Sequence, residues 1–486
     1  MTPEEALTIY HAGPDVVVKL LCELSNQVEL LQKQVTELHK EIQRLKDQLA
    51  KNSRNSSKPP SSDGFKKPSP KSLRPLSNRK PGGQKGHLGF TLKMVDNPDH
   101  SALYPVNKCQ RCGRCLADEI PIDVERRQVF DIPRIQMEVT EHQAQIKECS
   151  HCGHLNKATF PEQVKAPVQY GLRLKAIAVY LRQYQLLPYN RSRELLRDLF
   201  STDLSEGTLT NITDTCSECL QEPVKQIRKQ LVQSPVVSFD ETGSSVDGKR
   251  QWLHAASSPN LTYYKIHPKR GSHAMDHMGI LSNFKGRAIH DFWKPYFKYD
   301  CNHGLCNAHH LRELVFLHEQ HDQRWAKDMI ECLVDIKKDV DEAKGSTDTL
   351  FKEQIQKFEE RYQAILDKGY NENPLPKKKY SKKKRGRRKK TKARNLLERL
   401  DNHRKEALAF MYDFTVPFDN NLAERDLRMA KVQQKISGTF RSQDGANAFC
   451  RIRSYISTVR KSAVNVIDAI GNAFQGSPFL PSSGSP

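Results

Sequence analysis

The chain has 486 residues and a formal net charge of +21, from 78 lysines and arginines against 57 acids. That length is too great for a single core, so several domains are expected. The charge points to a polyanionic partner, nucleic acid before membrane, and no apolar stretch reaches the length of a membrane span.

The first 21 residues lack a basic lead and a continuous apolar segment, so no secretory leader is expected. The twelve cysteines are therefore read as reduced thiols or metal ligands, not disulfides. From Val17 to Leu49 apolar residues recur at alternating spacings of four and three. Leu21, Val28, Val35, Ile42 and Leu49 occupy heptad position a; Leu24, Leu31, Leu38 and Leu45 occupy d. β-Branched residues at a with leucine at d predict a parallel two-stranded coiled coil over residues 1–50. Glu41 at g would face Lys46 at e of the partner helix.

Residues 51–93 are rich in Ser, Pro, Gly and Lys, with eleven Lys or Arg and one acid, Asp63. Such a stretch buries no core alone. Lys58, Lys66, Lys67, Arg79, Lys80 and Lys85 are its candidate contacts to DNA phosphates. Two knuckles follow, Cys109-Gln110-Arg111-Cys112-Gly113 and Cys149-Ser150-His151-Cys152-Gly153. The two-residue gap lets both thiolates of each pair bind one tetrahedral zinc. Cys109, Cys112, Cys149 and Cys152 are thus predicted to hold one structural Zn²⁺, with Cys115, His151 and His154 as substitute ligands. Residues 124–132 and 135–146 read as two strands between the knuckles, giving a zinc-ribbon-like unit.

Residues 171–231 read as helical, with a break at Ser201-Thr202-Asp203 and an N-cap at Ser205. A DNA-reading helix-turn-helix and a plain helical hairpin both fit. Cys216 and Cys219 are read as packing residues. Strands are predicted at 236–240, 252–257, 261–266 and 287–292, with a hairpin turn at Asp247-Gly248 and a helix over 272–284. Asp240 ends the first strand and Gly243 breaks it. Three strands, a helix and a fourth strand suit a ribonuclease-H-like α/β core. A carboxylate at the end of a buried strand needs a positive partner, and a divalent metal is one. Asp291 at the end of the fourth strand and Glu424 on a later helix have settings to share it. Asp419 and Asp426 rival Glu424 on spacing alone. Ala423, Leu427 and Ala430 form a stripe that would dock this helix on the sheet.

Cys306 and His309, one helical turn apart, form a candidate second metal site with Cys301 or His303. Residues 377–394 carry thirteen Lys or Arg and no acid. Lys383, Lys384, Arg385, Arg387, Arg388, Lys389 and Lys390 are read there as phosphate contacts, joined by Arg428 and Arg441 nearer the core.

Together these residues resemble the transposases of the insertion-sequence-66 family of bacterial mobile elements, over nearly the whole chain. The marks are Asn55-Ser56-Ser57-Lys58-Pro59-Pro60-Ser61-Ser62-Asp63, Gly82-Gly83-Gln84-Lys85-Gly86-His87, the two knuckles, and the run from Val416-Pro417-Phe418-Asp419-Asn420-Asn421 to Lys435-Ile436-Ser437-Gly438-Thr439-Phe440-Arg441. The resemblance implies that Asp240, Asp291 and Glu424 are a D-D-E triad holding two Mg²⁺ for cleavage and strand transfer at the element's ends. It also implies two small accessory proteins as partners, and a cytoplasmic protein on the bacterial nucleoid. The expected organisation is multidomain α+β. It comprises a coil at 1–50, a basic linker at 51–108, a zinc unit at 109–160, helices at 165–232, a catalytic domain at 233–440 with an insertion at 293–417, and a helical segment at 441–486. A non-catalytic, zinc-containing dimeric regulator would explain the coil, knuckles and basic runs, but not the three acids. A metal-dependent nuclease without strand transfer is the nearer rival.

Overall fold

The computed structural model describes residues 2–56, 58, 63, 91–133, 135–375 and 390–481. Lys66, Lys67, Arg79, Lys80, Lys85, Lys383, Lys384, Arg385, Arg387, Arg388 and Lys389 lie outside those residues.

A short helix α1 (Pro3–His11) is closed by a Thr2–Glu5 capping box. Helix α2 (Pro14–Leu49) then runs unbroken for 36 residues. Its stripe from Leu21 through Leu24, Val28, Leu31, Val35, Leu38 and Ile42 to Leu45 is exposed on the single chain. Glu41 pairs within the helix, with Arg44. The end of α2 docks on the body of the protein: Asp47 is buried, forms an ion pair with Lys392 and lies 3.3 Å from His321 Nε2.

In the knuckle region, the strands expected at 124–132 and 135–146 do not form. Val124, Val129, Ile132 and Val139 are exposed, so their alternation has no face to pack on. A small hairpin forms instead around the second knuckle, pairing β1 (Ile146–Glu148) with β2 (Leu155–Lys157).

Four helices follow: α3 (Leu172–Val179), α4 (Tyr189–Phe200), α5 (Glu206–Cys219) and α6 (Gln221–Gln233). The Ser205 hydroxyl caps α5 by accepting from the Thr208 N–H. Cys216 is buried. These helices do not have a core of their own. Leu174, Leu196, Cys216 and Ile227 share one cluster with Phe239, Ala256 and Ile456.

The central sheet comprises β3 (Val236–Val246), β4 (Lys249–Ser257), β5 (Thr262–His267), β6 (Arg287–His290) and β7 (Asn302–Leu305), with α7 (Ser272–Met278) between β5 and β6. Their order is β5-β4-β3-β6-β7. The first three strands are antiparallel, and β6 and β7 run parallel to β3. Asp247 and Gly248 take φ of 50° and 70°, the left-handed pair a two-residue hairpin turn requires. Strand β3 does not stop at Asp240, as its sequence suggests. Its ladder with β4 continues to Val246–Lys249, whereas its pairing with β6 ends at Ser238–Ile289. Asp240 therefore sits just past the point where β3 parts from β6.

The insertion after the sheet builds a second core. Helices α8 (Asn307–His321), α9 (Arg324–Ala343), α10 (Lys352–Glu372), α11 (Lys392–Asn402), α12 (Arg404–Ala407) and α13 (Ala409–Tyr412) pack around Trp325, Leu333, Tyr362 and Leu397. The chain then returns to the sheet through α14 (Asn421–Ser437), α15 (Gln443–Lys461) and α16 (Val466–Phe474). Ala423 and Leu427 are buried, and Leu427 packs with Leu253, Ala255 and Tyr264, with Ala430 alongside. Helix α15 covers the edge strand β5: the N–H groups of Thr262 and Tyr264 donate to the hydroxyls of Thr458 and Ser454. An edge so covered cannot template pairing with another chain.

Candidate active site

Strand alternation sends Asp240 and Glu241 to opposite faces of the sheet. Extending the β3–β6 register by two residues from Ser238–Ile289 brings Asp240 alongside Asp291. Phe292, immediately after Asp291, takes a φ of 72°. That region is strained for a bulky residue. The Phe292 ring is held in place by Phe297, His403 and Arg399. The Trp293 N–H donates to Asp291 Oδ1 at 3.1 Å.

Glu424 arrives on the first turn of α14. The buried Asn420 fixes that turn: its Nδ2 donates to the Phe239 carbonyl at 2.8 Å, and its N–H donates to Cys306 Sγ at 3.1 Å. Asp240, Asp291 and Glu424 are brought close enough to repel one another. Burial, then Glu241 and Asp291, push the Asp240 pKa well above the usual carboxylate range, and Glu424 adds to the effect. Burial also raises the Glu424 pKa, opposed chiefly by Arg312. Glu424 Oε1 is buried without a hydrogen-bond partner. Mutually repelling carboxylates, one of them with an oxygen that lacks a hydrogen bond, fit a divalent cation by charge and by donor type.

The rivals for the third acid are otherwise engaged. Asp426 accepts from Ser257 (2.6 Å), Thr262 (2.9 Å) and Lys461 (2.9 Å), so it ties α14 to β4, β5 and α15. Asp419 accepts from the Asn421 N–H at 3.0 Å at the helix start. An open cleft is lined by Asp419, Asn421, Glu424, Arg425 and Arg428, which places the exposed Arg428 beside Glu424. Arg441 lines a separate groove with Arg182 and Tyr189. Lys390 is paired with Glu398, and Lys58 bonds the Lys51 carbonyl.

Cys306 and His309 join Glu424, not Cys301 or His303. Their ligand atoms and that of Glu424 lie within 4.8 Å of one another. His303 pairs with His290 instead, at 3.1 Å. Burial pushes the Cys306 thiol up to about 12 and lowers His309 to about 4, with Arg312 adding to that drop.

Two residues beside the site were not singled out from the sequence. Glu241 is buried under the strand; its oxygens accept from Tyr296 and from Arg270, at 2.7 and 2.9 Å. Arg312 lies 3.8 Å from Glu424. Its spacing of three from His309 on one helix face was the available clue.

The two knuckles are each folded in the same way. Gly113 and Gly153 take φ of 76° and 71°, and their N–H groups donate to the carbonyls of Cys109 (2.9 Å) and Cys149 (2.8 Å). The N–H groups of Cys112 and Arg111 lower the Cys109 pKa. Those of His151 and Cys152 do the same for Cys149. The pairs do not converge into one four-sulfur cluster. Among the described residues, Cys306, His309 and Glu424 are the one group of three or more ligand atoms so close.

Residues 167–448, more than half of the chain, match the model of the transposase IS66 family. Residues 107–153 match the zinc-finger binding domain of transposase IS66, which supports zinc binding. Residues 14–93 match a family of unknown function. No curated protein matches the chain. Among the described residues, no helix is long and apolar enough to cross a membrane.

Proposed function

Because the chain belongs to the IS66 family of transposases, we propose that it is a D-D-E transposase whose triad is Asp240, Asp291 and Glu424. The observation that carries this is the approach of the three carboxylates where β3 parts from β6, near enough that Asp291 and Glu424 both help to raise the Asp240 pKa, with Glu424 Oε1 buried and without a hydrogen-bond partner. The strand order β5-β4-β3-β6-β7, with its antiparallel and parallel halves, supports a ribonuclease-H-like core.

Asp240, Asp291 and Glu424 would hold Mg²⁺. Bound there, the metal supplies Lewis-acid stabilisation of the attacking and leaving oxygens of a phosphodiester. The chain's own part is to bring these carboxylates together and to keep them in place. Asn420 sets the position of Glu424, and the Trp293 N–H orients Asp291. Arg428 and Arg425, in the cleft beside Glu424, are placed to hold phosphate oxygens. Cys306 and His309 would offer further ligand atoms to a metal held by Glu424.

The reaction class is two successive displacements at phosphorus. Water first breaks a phosphodiester at the element end and frees a 3′-hydroxyl. That hydroxyl then bonds to a target phosphorus and displaces the target's own 3′-oxygen. Neither displacement requires a covalent enzyme intermediate. Zinc held by Cys109, Cys112, Cys149 and Cys152 would be structural, since four thiolates leave no open position. The exposed seam of α2 supports self-association as a parallel coil. DNA, element ends and target alike, is the proposed substrate, and a nucleoid-associated cytoplasmic setting follows from it.

The test is cleavage and strand transfer on DNA carrying the element ends, with and without Mg²⁺. Mg²⁺-dependent joining of the freed 3′-end to a second duplex supports the proposal. Cleavage without joining would make the protein a nuclease. Binding with neither would make it a regulator.

A further inference from the structure

Two of the chain's three tryptophans lie half-buried beside the candidate active site, interleaved with two arginines. Trp252 is on β4 and Trp293 is two residues past Asp291. The Arg250 guanidinium lies 4.7 Å from the Trp252 ring centre. That of Arg270 lies 4.9 Å from Trp252 and 4.1 Å from Trp293. The four side chains form a ladder, Arg250–Trp252–Arg270–Trp293. The third tryptophan, Trp325, is fully buried in the other core.

This ladder is open in a way that a purely structural stack would not be. The cross-strand neighbour of Trp252 on β3 is Gly243, and the space a side chain would take there is occupied by the Arg250 guanidinium. Arg250 is exposed and makes no ion pair among the described residues. Lys431 stands next to it, donating to the Gly243 carbonyl. The acid in contact with the ladder is Glu241, whose side chain is 1% exposed and spent on Arg270, itself 37% exposed. The surface offered to solvent is therefore cationic and aromatic. The guanidinium groups lie against the indole rings, their N–H groups suit phosphate, and the half-buried rings leave part of their surface for bases.

We propose that the Arg250–Trp252–Arg270–Trp293 ladder, which runs along the Glu241 face of the sheet and reaches the candidate site at Asp291, binds an unpaired DNA strand, stacking its bases and holding its phosphates. This rests on the reading of the protein as acting on DNA. Unpaired strands suit it because stacking on a side chain needs a base face that a duplex keeps covered. A cationic patch reading duplex phosphates alone would have no use for the rings.

The experiment is tryptophan emission of the full chain titrated with a duplex carrying a single-stranded oligo-dT overhang, against the blunt duplex. Overhang DNA should quench part of the emission; blunt duplex should leave it nearly unchanged. Arg250→Gln and Trp252→Leu should each weaken overhang binding about tenfold, toward the lower end of the range for one stacked base, and blunt binding less than twofold. Retained Trp325 emission in Trp252→Leu/Trp293→Leu reports an intact core. Absence of quenching at saturation, or equal weakening on both DNAs, overturns the proposal. Quenching without any Mg²⁺-dependent cleavage leaves the ladder standing and overturns the transposase chemistry instead. Cleavage with an unquenched overhang does the reverse.

Discussion

Asn420 Nδ2 donates to the carbonyl of Phe239 across 2.8 Å, joining the first turn of the helix that carries Glu424 to the residue before Asp240. The bond spans 181 positions of sequence and sets the reach between two of the three acids. Replacing Asn420 with Ala leaves a buried carbonyl unsatisfied, a loss of roughly 1–3 kcal/mol. It also frees α14 to shift. Asn420→Ala should therefore lower metal-dependent cleavage more than it lowers DNA affinity. Urea unfolding and cleavage rates on the same preparation check this; equal losses in cleavage and binding would disconnect Asn420 from the site.

Asp240→Asn, Asp291→Asn and Glu424→Gln should each abolish cleavage and leave DNA binding largely intact. Each removes a metal-binding charge at nearly constant shape. Asp240→Asn should also stabilise the metal-free protein by on the order of 1 kcal/mol, because it removes the burial cost of a charge and then the repulsion that together raise the Asp240 pKa. Mg²⁺ should raise the melting temperature of the wild type and not of this variant. Asp426→Ala serves as the contrast. It strands Lys461, whose side chain is 14% exposed, and breaking a buried pair costs about 3–5 kcal/mol. That variant should fail by unfolding, with no special loss of the Mg²⁺ response. Full activity in any triad variant would remove that residue from the triad.

The two rivals for the third acid explain how far the sequence could be read. Glu424, Asp419 and Asp426 are all within reach on one helix by spacing, and spacing alone does not order them. What separates Asp426 is Ser257, Thr262 and Lys461, which are 35 to 169 positions away. Strands β4, β5 and β6 were legible because Ile, Tyr, Trp and Ala runs alternate between clear turn signals. The continuation of β3 through Asp240 was not, because its support comes from β4 across the hairpin. Strand β7, Asn302–Leu305, has no β-branched residue; it is a strand because β6 lies beside it. Its Gly304 permits the approach, since a Cβ there would meet Ile289 at 2.6 Å. The alternating residues between the knuckles misled for the opposite reason: a period of two makes a strand only where one face is buried.

Stability should fall as the pH drops below 6.5. His254, His290 and His310 are buried. Burial lowers their pKa values to about 4, 3 and 3 from 6.5. Between those values and 6.5 the unfolded chain binds protons that the folded chain does not, so stability is lost as pH falls. Each histidine contributes up to about 1.4 kcal/mol per pH unit. The raised carboxyls of Asp240 and Glu241 act in the opposite sense, since the folded state takes up their protons first. Asp240→Asn removes part of that opposition and should steepen the acid loss. Urea midpoints at pH 7.5, 6.5 and 5.5 measure both slopes, and a flat profile would mean that these histidines are not held neutral.

Zinc should act on the segment from residue 107 to residue 153 and leave the sheet alone. Each knuckle is already turned, with glycines at positive φ and N–H groups directed at Cys109 and Cys149. Between the knuckles the described residues have exposed apolar side chains, and their one strand, β1, pairs with β2 beyond the second knuckle and not with the first. Closing energy must then come from the metal, as in small zinc domains generally. The expected stoichiometry is one zinc per chain at Cys109, Cys112, Cys149 and Cys152, with a second only if Cys306 and His309 bind with Glu424. Cys112→Ser with Cys152→Ser should lose the first zinc and make residues 107–153 readily cleaved by protease. The cores around Phe239 and Trp325 should keep their melting transition, because no residue of either core lies in that segment. Metal analysis and limited proteolysis of the two proteins decide it. Zinc retained in full by the double variant would move the site to other ligands, with Cys115, His151 and His154 the first to replace.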